Sequence, residues 1–567
     1  MDNLRLLLLF SLAFIVLMLW QAWNQDYGQP SDVIQVTSSE TSPAGTAATL
    51  SPLPGSAGTE VPSAPVVASP TVGSTPAVSV QPAAATANMA KVITDLYTLE
   101  IDTKGGNIVN LLLNEYSVSL EKKDEKFQLL RPIPPNLFVS QSGLIGAGEG
   151  DAPTHESQYQ AEQELYRMPE GSDELNVSMR WNNAAGVEVI KHFHFKRGTY
   201  LVRVSHEVKN NSGADWSGRE YRQLLHGKPS EREGDAKFVY TYTGGAIYSP
   251  AEKYEKISFD DMEGSALNRE VKDGWIAMLQ HYFLGAWVPP SEQMNHFYSN
   301  VLPGERYVLG AYTPPVSIPA GGSHTFTSGF LAGPKLQDEL EQIAPGLELT
   351  VDYGWLTVIA KPIFWLMKQI HSLVGNWGWS IILLTLVIKL AFFKLSETSY
   401  KSMANMRKMT PRIQALKDRF GDDKQRLNQA MMEMYKKEKI NPLGGCLPIV
   451  VQIPVFIALY WVLLESVELR QAPFIFWIKD LAIKDPYFVL PLVMGVSMFI
   501  QQKLNPAPPD PMQAKLMMAL PFVFTIFFAF FANDLSQPVN GKSLHIVHLL
   551  NGNKLASHLV SHCCCGP

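Results

Sequence analysis

The stretch Ser380–Tyr400, SIILLTLVIKLAFFKLSETSY, is apolar along most of its length yet carries Lys389 inside it. A charge in the middle of a membrane helix costs about 2.5–3.5 kcal/mol, so such a lysine needs either a function or a route to water. Lys394 follows about 7.5 Å of helix rise further on, and Lys389 can also snorkel toward that basic end. The residues alone leave both interpretations open.

Other apolar runs are spaced along the chain and predict a polytopic α-helical membrane protein, because about 20 apolar residues cross a bilayer. Leu4–Trp20 predicts an N-terminal transmembrane anchor over residues 1–24, with a cleaved signal peptide as the alternative. The later runs predict a transmembrane core over residues 377–532. Its predicted spans are Trp377–Phe393, Cys446–Leu464, Pro486–Ile500 and Leu516–Phe531.

A basic segment, residues 394–440, lies between the first two spans of this core and has twice as many basic as acidic side chains. The positive-inside rule therefore places it in the cytoplasm. Apolar residues recur at helical spacing on both sides of Gly421, Asp422 and Asp423, which predicts a helical hairpin. The hairpin either only sets the topology as a solvated surface, or docks an anionic partner or a nascent chain.

The part of the chain between the anchor and the core has a different character. Residues 25–90 are rich in Pro, Ser and Ala and predict a disordered tether. Short alternating stretches separated by turn residues follow over 91–337 and predict an all-β sandwich on the periplasmic side. Residues 338–376 combine apolar positions at helical spacing with Trp-rich ends, which predicts an amphipathic helix at the membrane interface.

The predicted β-domain offers one weak candidate for a metal site. His192, His194 and His206 occupy alternating positions on predicted strands, and the alternative is that they lie on a solvated sheet face. The sequence contains no nucleophile elbow, phosphate-binding loop or dinucleotide fingerprint. We therefore expect no catalytic residues, no cofactor and no resident metal, and we expect that the protein is not an enzyme.

One long stretch carries a resemblance to a known family. Residues 421–481, GDDKQRLNQAMMEMYKKEKINPLGGCLPIVVQIPVFIALYWVLLESVELRQAPFIFWIKDL, resemble the core of the YidC-type membrane protein insertases, relatives of the mitochondrial Oxa proteins. The resemblance extends in segment order from Met1 to about Phe531. It implies an insertase and chaperone of the inner membrane in a Gram-negative bacterium, with a galactose-mutarotase-like β-super-sandwich as its periplasmic domain. The implied partners are nascent membrane proteins, the lipid bilayer and the Sec translocon.

The resemblance also implies roles for particular residues. Family members place one basic residue, often arginine, in a hydrophilic groove that opens to the cytoplasm and to lipid, and Lys389 occupies that position here. Thr385 lies one helical turn before it, and Gln452 is the third groove residue that we expect. Snorkelling of Lys389 remains the alternative. Residues expected to contact the departing substrate helix are Ile453, Pro454, Phe456, Phe524 and Phe528, although Pro454 as a packing kink and lipid-facing aromatics are equally simple explanations.

The end of the chain departs from the family pattern. Residues 533–567 contain no apolar run long enough for a sixth span and lack the basic tail that family members use. The resemblance suggests the ribosome as a further partner, but the basic tail through which family members would contact it is absent here. We expect no sequence-specific nucleic-acid binding. Two alternative functions are a small-solute membrane transporter and a membrane-anchored sugar-binding protein.

Overall fold

A computed structural model describes a β-domain, a connector and a helical region. The predicted anchor (1–24), nearly all of the predicted tether and the predicted tail (533–567) lie outside the described residues. Those residues are 89–134, 136–148, 150–229, 241–421, 423–438, 447–483, 485–504 and 511–531.

The β-domain consists of two antiparallel-rich sheets of 11 and 9 strands in the described residues, which confirms the predicted all-β domain. In spatial order, the larger sheet contains β14 (Asn268–Lys272), β17 (Met294–Leu302), β18 (Arg306–Tyr312), β11 (Trp216–Gly227), β5 (Phe138–Gly146), β3 (Asn107–Ser117), β2 (Tyr97–Asp102), β1 (Met89–Ile93) and β7 (Leu165–Arg167), with β19 (Val316–Ile318) on β11 and β4 (Lys126–Leu130) on β3. The smaller sheet contains β13 (Lys253–Ile257), β12 (Gly244–Ser249), β15 (Trp275–Leu279), β16 (Phe283–Val288), β20 (Ser323–Pro334), β10 (Leu201–Asn210), β9 (Val187–Lys196), β8 (Glu174–Asn182) and β6 (Gln160–Ala161).

Alternation along the strands explains why the two sheets stack. In the β9–β10 pair, Phe193 opposes Val204 and Phe195 opposes Val202, and all four side chains are buried in the main apolar cluster. The residues between them point to the other face, since successive strand residues alternate. Gly105 shapes the turn between β2 and β3: its φ is +78°, and a Cβ there would lie 1.9 Å from the His155 carbonyl oxygen.

The three candidate histidines do not converge on one face. His192 and His194 lie on the outer face of β9, where their ring nitrogens approach Ser178 and Asn176. His206 is opposite Lys191 in the β10–β9 register, so it points into the domain and is completely buried. The solvated-face interpretation is therefore wrong for His206. In the part of the chain that the structure describes, no group of three potential metal ligands is present.

Helices dominate after Pro334. A short helix, α1 (Phe259–Gly264), belongs to the β-domain, and the others follow in chain order. They are α2 (Gln337–Ile343), α3 (Thr357–Val374), α4 (Trp377–Ala391), α5 (Phe393–Lys408), α6 (Thr410–Phe420), α7 (Lys424–Lys437), α8 (Leu447–Glu465), α9 (Val489–Leu504) and α10 (Pro511–Phe531).

The single amphipathic helix predicted over 338–376 is two helices, α2 and α3, with two 3₁₀ turns between them (Leu347–Thr350 and Gly354–Leu356). The interruption has a local cause. Pro345 disfavours a helical backbone conformation at the residue before it, and Gly346 follows in a left-handed conformation with φ of +75°.

The apolar run that contains Lys389 also differs from one straight helix. It forms α4, which ends at Ala391, and a bend of 58° leads into α5. This bent pair (Trp377–Ala391 with Phe393–Ser399) has the length and composition to cross a membrane, whereas no single helix within the described ranges does.

The helical region is attached to the β-domain through a shared core. Helix α3 packs against both α4 and α8. Buried residues of α4 (Ile381, Leu384) and α8 (Ala458, Leu459) belong to the same apolar cluster that fills the β-sandwich. The β-domain, the segment that joins it to α3, and the helices α3, α4 and α8 therefore pack as one continuous body.

Candidate functional site

Helix α4 carries two of the predicted groove residues. Its start is fixed by Asn376, whose side chain accepts a hydrogen bond from the Trp379 backbone N–H (3.1 Å), the standard arrangement at a helix N-cap. Lys389 lies in its last turn, immediately before the bend. The helix thus ends two residues after Lys389, at Ala391, where the chain changes direction.

Thr385 and Lys389 occupy neighbouring positions on α4 but different environments. Thr385 is 2% exposed, and its hydroxyl donates to the Ile382 carbonyl oxygen (2.7 Å) within its own helix. Lys389 is half-buried, at the boundary between the packed side of α4 and an exposed apolar side formed by Leu386 and Leu390. The ammonium therefore sits at an edge of the packed helices and not inside their core.

Helix α8 carries the residues predicted to contact a substrate helix. Gln452 and Pro454 are half-buried, Ile453 is exposed, and Phe456 packs against the main apolar cluster. The C-terminal half of α8 is its buried half, and these four residues lie on the less buried N-terminal half. Helix α3 contacts both α4 and α8, so the helix that carries Lys389 and the helix that carries Gln452 belong to one bundle.

The remaining predicted contact residues lie on another helix pair. Helices α9 and α10 pack against each other where Gly495 meets Thr525, and Phe524 on α10 is partly exposed. Phe528 also belongs to α10, but its side chain lies outside the described part. The grouping of Phe524 and Phe528 with the α8 residues stays a prediction.

The basic segment contains most of α5 and two further helices, α6 and α7, which are separated at the predicted break. Gly421 follows α6 and is exposed, and Asp423 caps α7 by accepting from the backbone N–H groups of Gln425 (3.1 Å) and Arg426 (3.0 Å). Arg412 of α6 pairs with Glu438 after α7, so the two helices are also tied at their other ends. Asp422 lies outside the described residues.

Two family models match the chain in succession: the YidC periplasmic domain over residues 89–366 and the 60Kd inner membrane protein over residues 369–537. A membrane protein insertase YidC from Thioalkalivibrio sulfidiphilus is 51% identical, with 94% of both chains covered. One from Methylococcus capsulatus is 50% identical over 94% of this chain and 95% of its own. The chain belongs to the YidC family of membrane protein insertases.

Solved structures show weaker likeness. A crystal structure of an active YidC insertase with its first transmembrane domain resolved has a TM-score of 0.36 at 16% identity, covering 84% of this chain and 93% of its own. A galactose mutarotase related enzyme from Lactobacillus acidophilus has a TM-score of 0.30 at 10% identity, covering 43% of this chain and 97% of its own. Both scores lie below 0.5, so the assignment to the YidC family rests on the sequence matches.

The β-domain of this YidC-family chain contains a polar network that bears on the sugar-binding alternative. Glu220 lies 2.9 Å from His206 Nδ1 and accepts from Arg222 (2.6 Å) and from the Ser328 hydroxyl (3.1 Å). Burial disfavours its charge, but Arg222 and His206 outweigh burial and hold the pKa of Glu220 below its ordinary value. These side chains are fully buried and bonded to one another, so they hold the sheets together and do not face an open cleft.

A junction between the β-domain and the end of α8 was not predicted from the sequence. Arg470 donates to the Ser117 carbonyl oxygen (2.6 Å) and lies over the rings of Phe127 and Phe283 at 5.6 and 5.7 Å. Gln471 bonds Ser117 as well, through both its amide nitrogen and its amide oxygen. Arg470 and Ser117 are 353 residues apart, and no local pattern links such positions.

The junction also buries ionisable groups. Burial raises the pKa of the Glu468 carboxyl to about 7 and lowers the pKa of the Lys335 ammonium. His281 of the β-domain lies 3.1 Å from the Leu464 carbonyl oxygen of α8, so even the helix end is bonded to the domain. The β-domain is therefore fixed to the outer end of the helix that carries Gln452.

Proposed function

We propose that this chain inserts membrane-protein segments into the bacterial inner membrane along a contact site formed by α4 and α8. The observation that carries this proposal is membership of the YidC insertase family over nearly the whole chain. The half-buried Lys389 at the edge of an apolar helix bundle supports the location of the site. The chain is an inner-membrane protein with a periplasmic domain, and we infer that it acts without covalent chemistry.

The arrangement in the membrane follows from the helices. We infer that α4 with the start of α5, and α8, α9 and α10, cross the bilayer, supported for the first by the length and hydropathy of the bent pair. The basic helices α6 and α7 then lie in the cytoplasm by the positive-inside rule. Lys389 is near the cytoplasmic end of α4, and the junction at Arg470 is on the periplasmic side.

The proposed mechanism lowers a desolvation barrier. A polar stretch of an incoming segment loses its bonds to water when it enters hydrocarbon, and an unpaired polar group there costs several kcal/mol. A half-buried ammonium at Lys389 keeps water and a donor within reach part-way into the membrane. Acidic or polar groups of the substrate then meet Lys389 and Gln452 before they reach the other side.

The apolar part of the substrate follows a different path. Ile453 is exposed next to the half-buried Gln452 on α8, so a polar and an apolar contact lie side by side on this helix. A substrate helix that leaves Gln452 therefore meets Ile453 and then lipid. We propose Pro454, Phe456, Phe524 and Phe528 as further contacts on this path.

The partners follow from the proposed activity. Nascent membrane proteins and bilayer lipids are required by insertion itself. We also propose that the chain cooperates with the Sec translocon on larger substrates and that the basic helices α6 and α7 contact the ribosome.

Insertion into proteoliposomes tests the function and the site together. The purified chain receives a short two-span substrate, and protease protection measures its insertion. We expect Lys389→Ala to slow insertion about tenfold, equivalent to about 1.4 kcal/mol of barrier, and Lys389→Arg to retain most activity because the charge remains. Lys394→Ala is the matched control, since Lys394 is exposed and paired with Glu397.

The outcomes separate the two claims. Failure of the unaltered chain to insert the substrate contradicts the proposed function. Insertion at the same rate by the unaltered chain and by Lys389→Ala leaves the function standing and removes Lys389 from the site.

A further inference from the structure

The segment between α8 and α9, residues 466–488, has a defined structure held by internal hydrogen bonds, and we call it the outer loop. Asp480 is buried and accepts from the backbone N–H groups of Gln471 (2.9 Å) and Ala482 (2.8 Å). Asp485 is also buried and accepts from the Trp477 indole N–H (2.9 Å) and the Leu490 backbone N–H (2.8 Å). Two internal carboxylates thus hold the loop in one shape.

This shape presents large apolar side chains outward. Phe476 is 85% exposed and Tyr487 is 69% exposed. Phe476 and Phe488 both have positive φ, +52° and +54°, a conformation that is unfavourable for a bulky residue. A fold that holds aromatic residues outward in an unfavourable conformation is a reason to look for what they contact.

The position of the loop indicates the contact. The Asn376 side-chain amide donates to the Pro473 carbonyl oxygen (3.1 Å), and the Trp379 ring lies edge-on to Phe474 at 5.5 Å. Asn376 and Trp379 form the first turn of α4, the helix that begins the bent membrane-crossing pair. The loop therefore lies beside the point at which α4 enters the bilayer, where Trp and Tyr side chains are enriched.

The chemistry of the loop favours lipid over a water-soluble partner. The stretch Pro473–Ile478 reads PFIFWI and contains no charged side chain. The two aspartates that follow are turned inward, and the side of the loop that carries Arg470 is already occupied by the β-domain. The loop presents outward the aromatic tip, continuous with the exposed Trp379 on α4, and the exposed Lys479, whose long side chain can reach the headgroups.

We propose that the outer-loop tip, Phe476 with Tyr487 and Phe488, inserts into the interfacial region of the outer leaflet. The tip then fixes the depth of the outer ends of α4 and α8, and with it the depth at which Lys389 lies. This inference rests on the proposed membrane orientation of α4, but it does not require insertion activity.

A depth measurement tests the proposal. Phe476→Cys is placed in the full chain with its four native cysteines changed to serine, labelled with an environment-sensitive fluorophore and reconstituted without substrate. We expect blue-shifted emission and quenching by spin-labelled lipid about threefold stronger than at a matched control, Ile133→Cys, because interfacial residues lie near the headgroups. Ile133 is exposed on the β-domain.

Two results would overturn it. Efficient quenching by aqueous iodide, equal to that at Ile133→Cys, would place the tip in water. Protection from both iodide and spin-labelled lipid would place it against protein. Phe476→Trp and Phe476→Asp then give a functional readout: Trp keeps the insertion rate, whereas Asp lowers it about two- to fivefold, since a carboxylate resists entry into the interface.

Discussion

Two lysines in different regions of the chain differ in what surrounds their charge. In the β-domain, Lys191 is enclosed: its ammonium donates to the carbonyl oxygens of Gly105 and Ser142, each at 2.9 Å, and burial lowers its pKa to about 7. In the helical region, Lys389 lies half-buried at the edge of a helix bundle. The first is bonded to fixed groups of its own chain where no ligand can arrive. The second lies at an edge that, by the proposed function, an incoming segment would pass.

The largest expected effect on stability comes from a substitution in the β-domain. Arg222→Met leaves the buried Glu220 carboxylate without its main partner, which typically costs about 3–5 kcal/mol. Pulse proteolysis of the full chain in detergent across a urea series measures the free energy of unfolding of this domain. Arg203→Met, an exposed arginine on β10, is the control. Equal stability of both variants would show that the network contributes nothing.

A packing change gives the corresponding test in the helical region. A Cβ at Gly495 would lie 2.0 Å from the Thr525 hydroxyl oxygen, so Gly495→Ala should push α9 and α10 apart at a cost of about 1–3 kcal/mol. We expect a lower melting temperature of the full chain in detergent. Gly213→Ala, where a Cβ meets open space, should leave it unchanged. An unchanged melting temperature for Gly495→Ala would contradict the described helix packing.

The pH dependence of stability sharpens the account of Lys191. Its pKa is about 7 when folded and 10.5 ordinarily, so the unfolded chain binds more protons between these values and stability rises with pH there. Compared with Lys191→Met, the unaltered chain should gain about 1.4 kcal/mol of unfolding free energy per pH unit. Urea titrations from pH 7 to 10 measure this gain. A parallel pair of curves would mean that Lys191 is charged in the folded chain.

The smallest expected effect is at the pair of helices α6 and α7. Asp423→Ala removes the cap that accepts from Gln425 and Arg426, at a cost of about 1 kcal/mol to α7. Hydrogen exchange of the first turn of α7 should accelerate about fivefold, while Asp423→Asn should stay close to the unaltered chain. Equal exchange in all three chains would show that Asp423 does not cap this helix.

Local periodicity predicted much of the fold. The alternating residues of β9 and β10 and the helical spacing around Gly421 identified elements whose cause lies within a few neighbouring residues. The orientation of His206 was not predictable in this way, because it depends on how β10 pairs with β9. The interruption between α2 and α3 had a local signal in Pro345-Gly346, but the apolar pattern around it favoured one helix.

The site was predictable only in part. An apolar run with one lysine drew attention to Lys389, and the family resemblance supplied its role. The junction of Arg470 with Ser117 and the two inward aspartates of the outer loop depend on contacts between distant or irregular segments, which no periodic pattern encodes. The role of Lys389 itself stays a prediction, because the group that it would meet belongs to another protein.

Photo-crosslinking of a stalled substrate tests the central claim most directly. A crosslinking residue is placed at Gln452 or Ile453 on α8 and, as controls, at the exposed positions Val387 on α4 and Leu492 on α9. The account predicts that the substrate's membrane segment crosslinks from Gln452 and Ile453 and that Lys389→Ala weakens both products. Crosslinks from Val387 or Leu492 alone would contradict it, because the substrate would then enter by another surface.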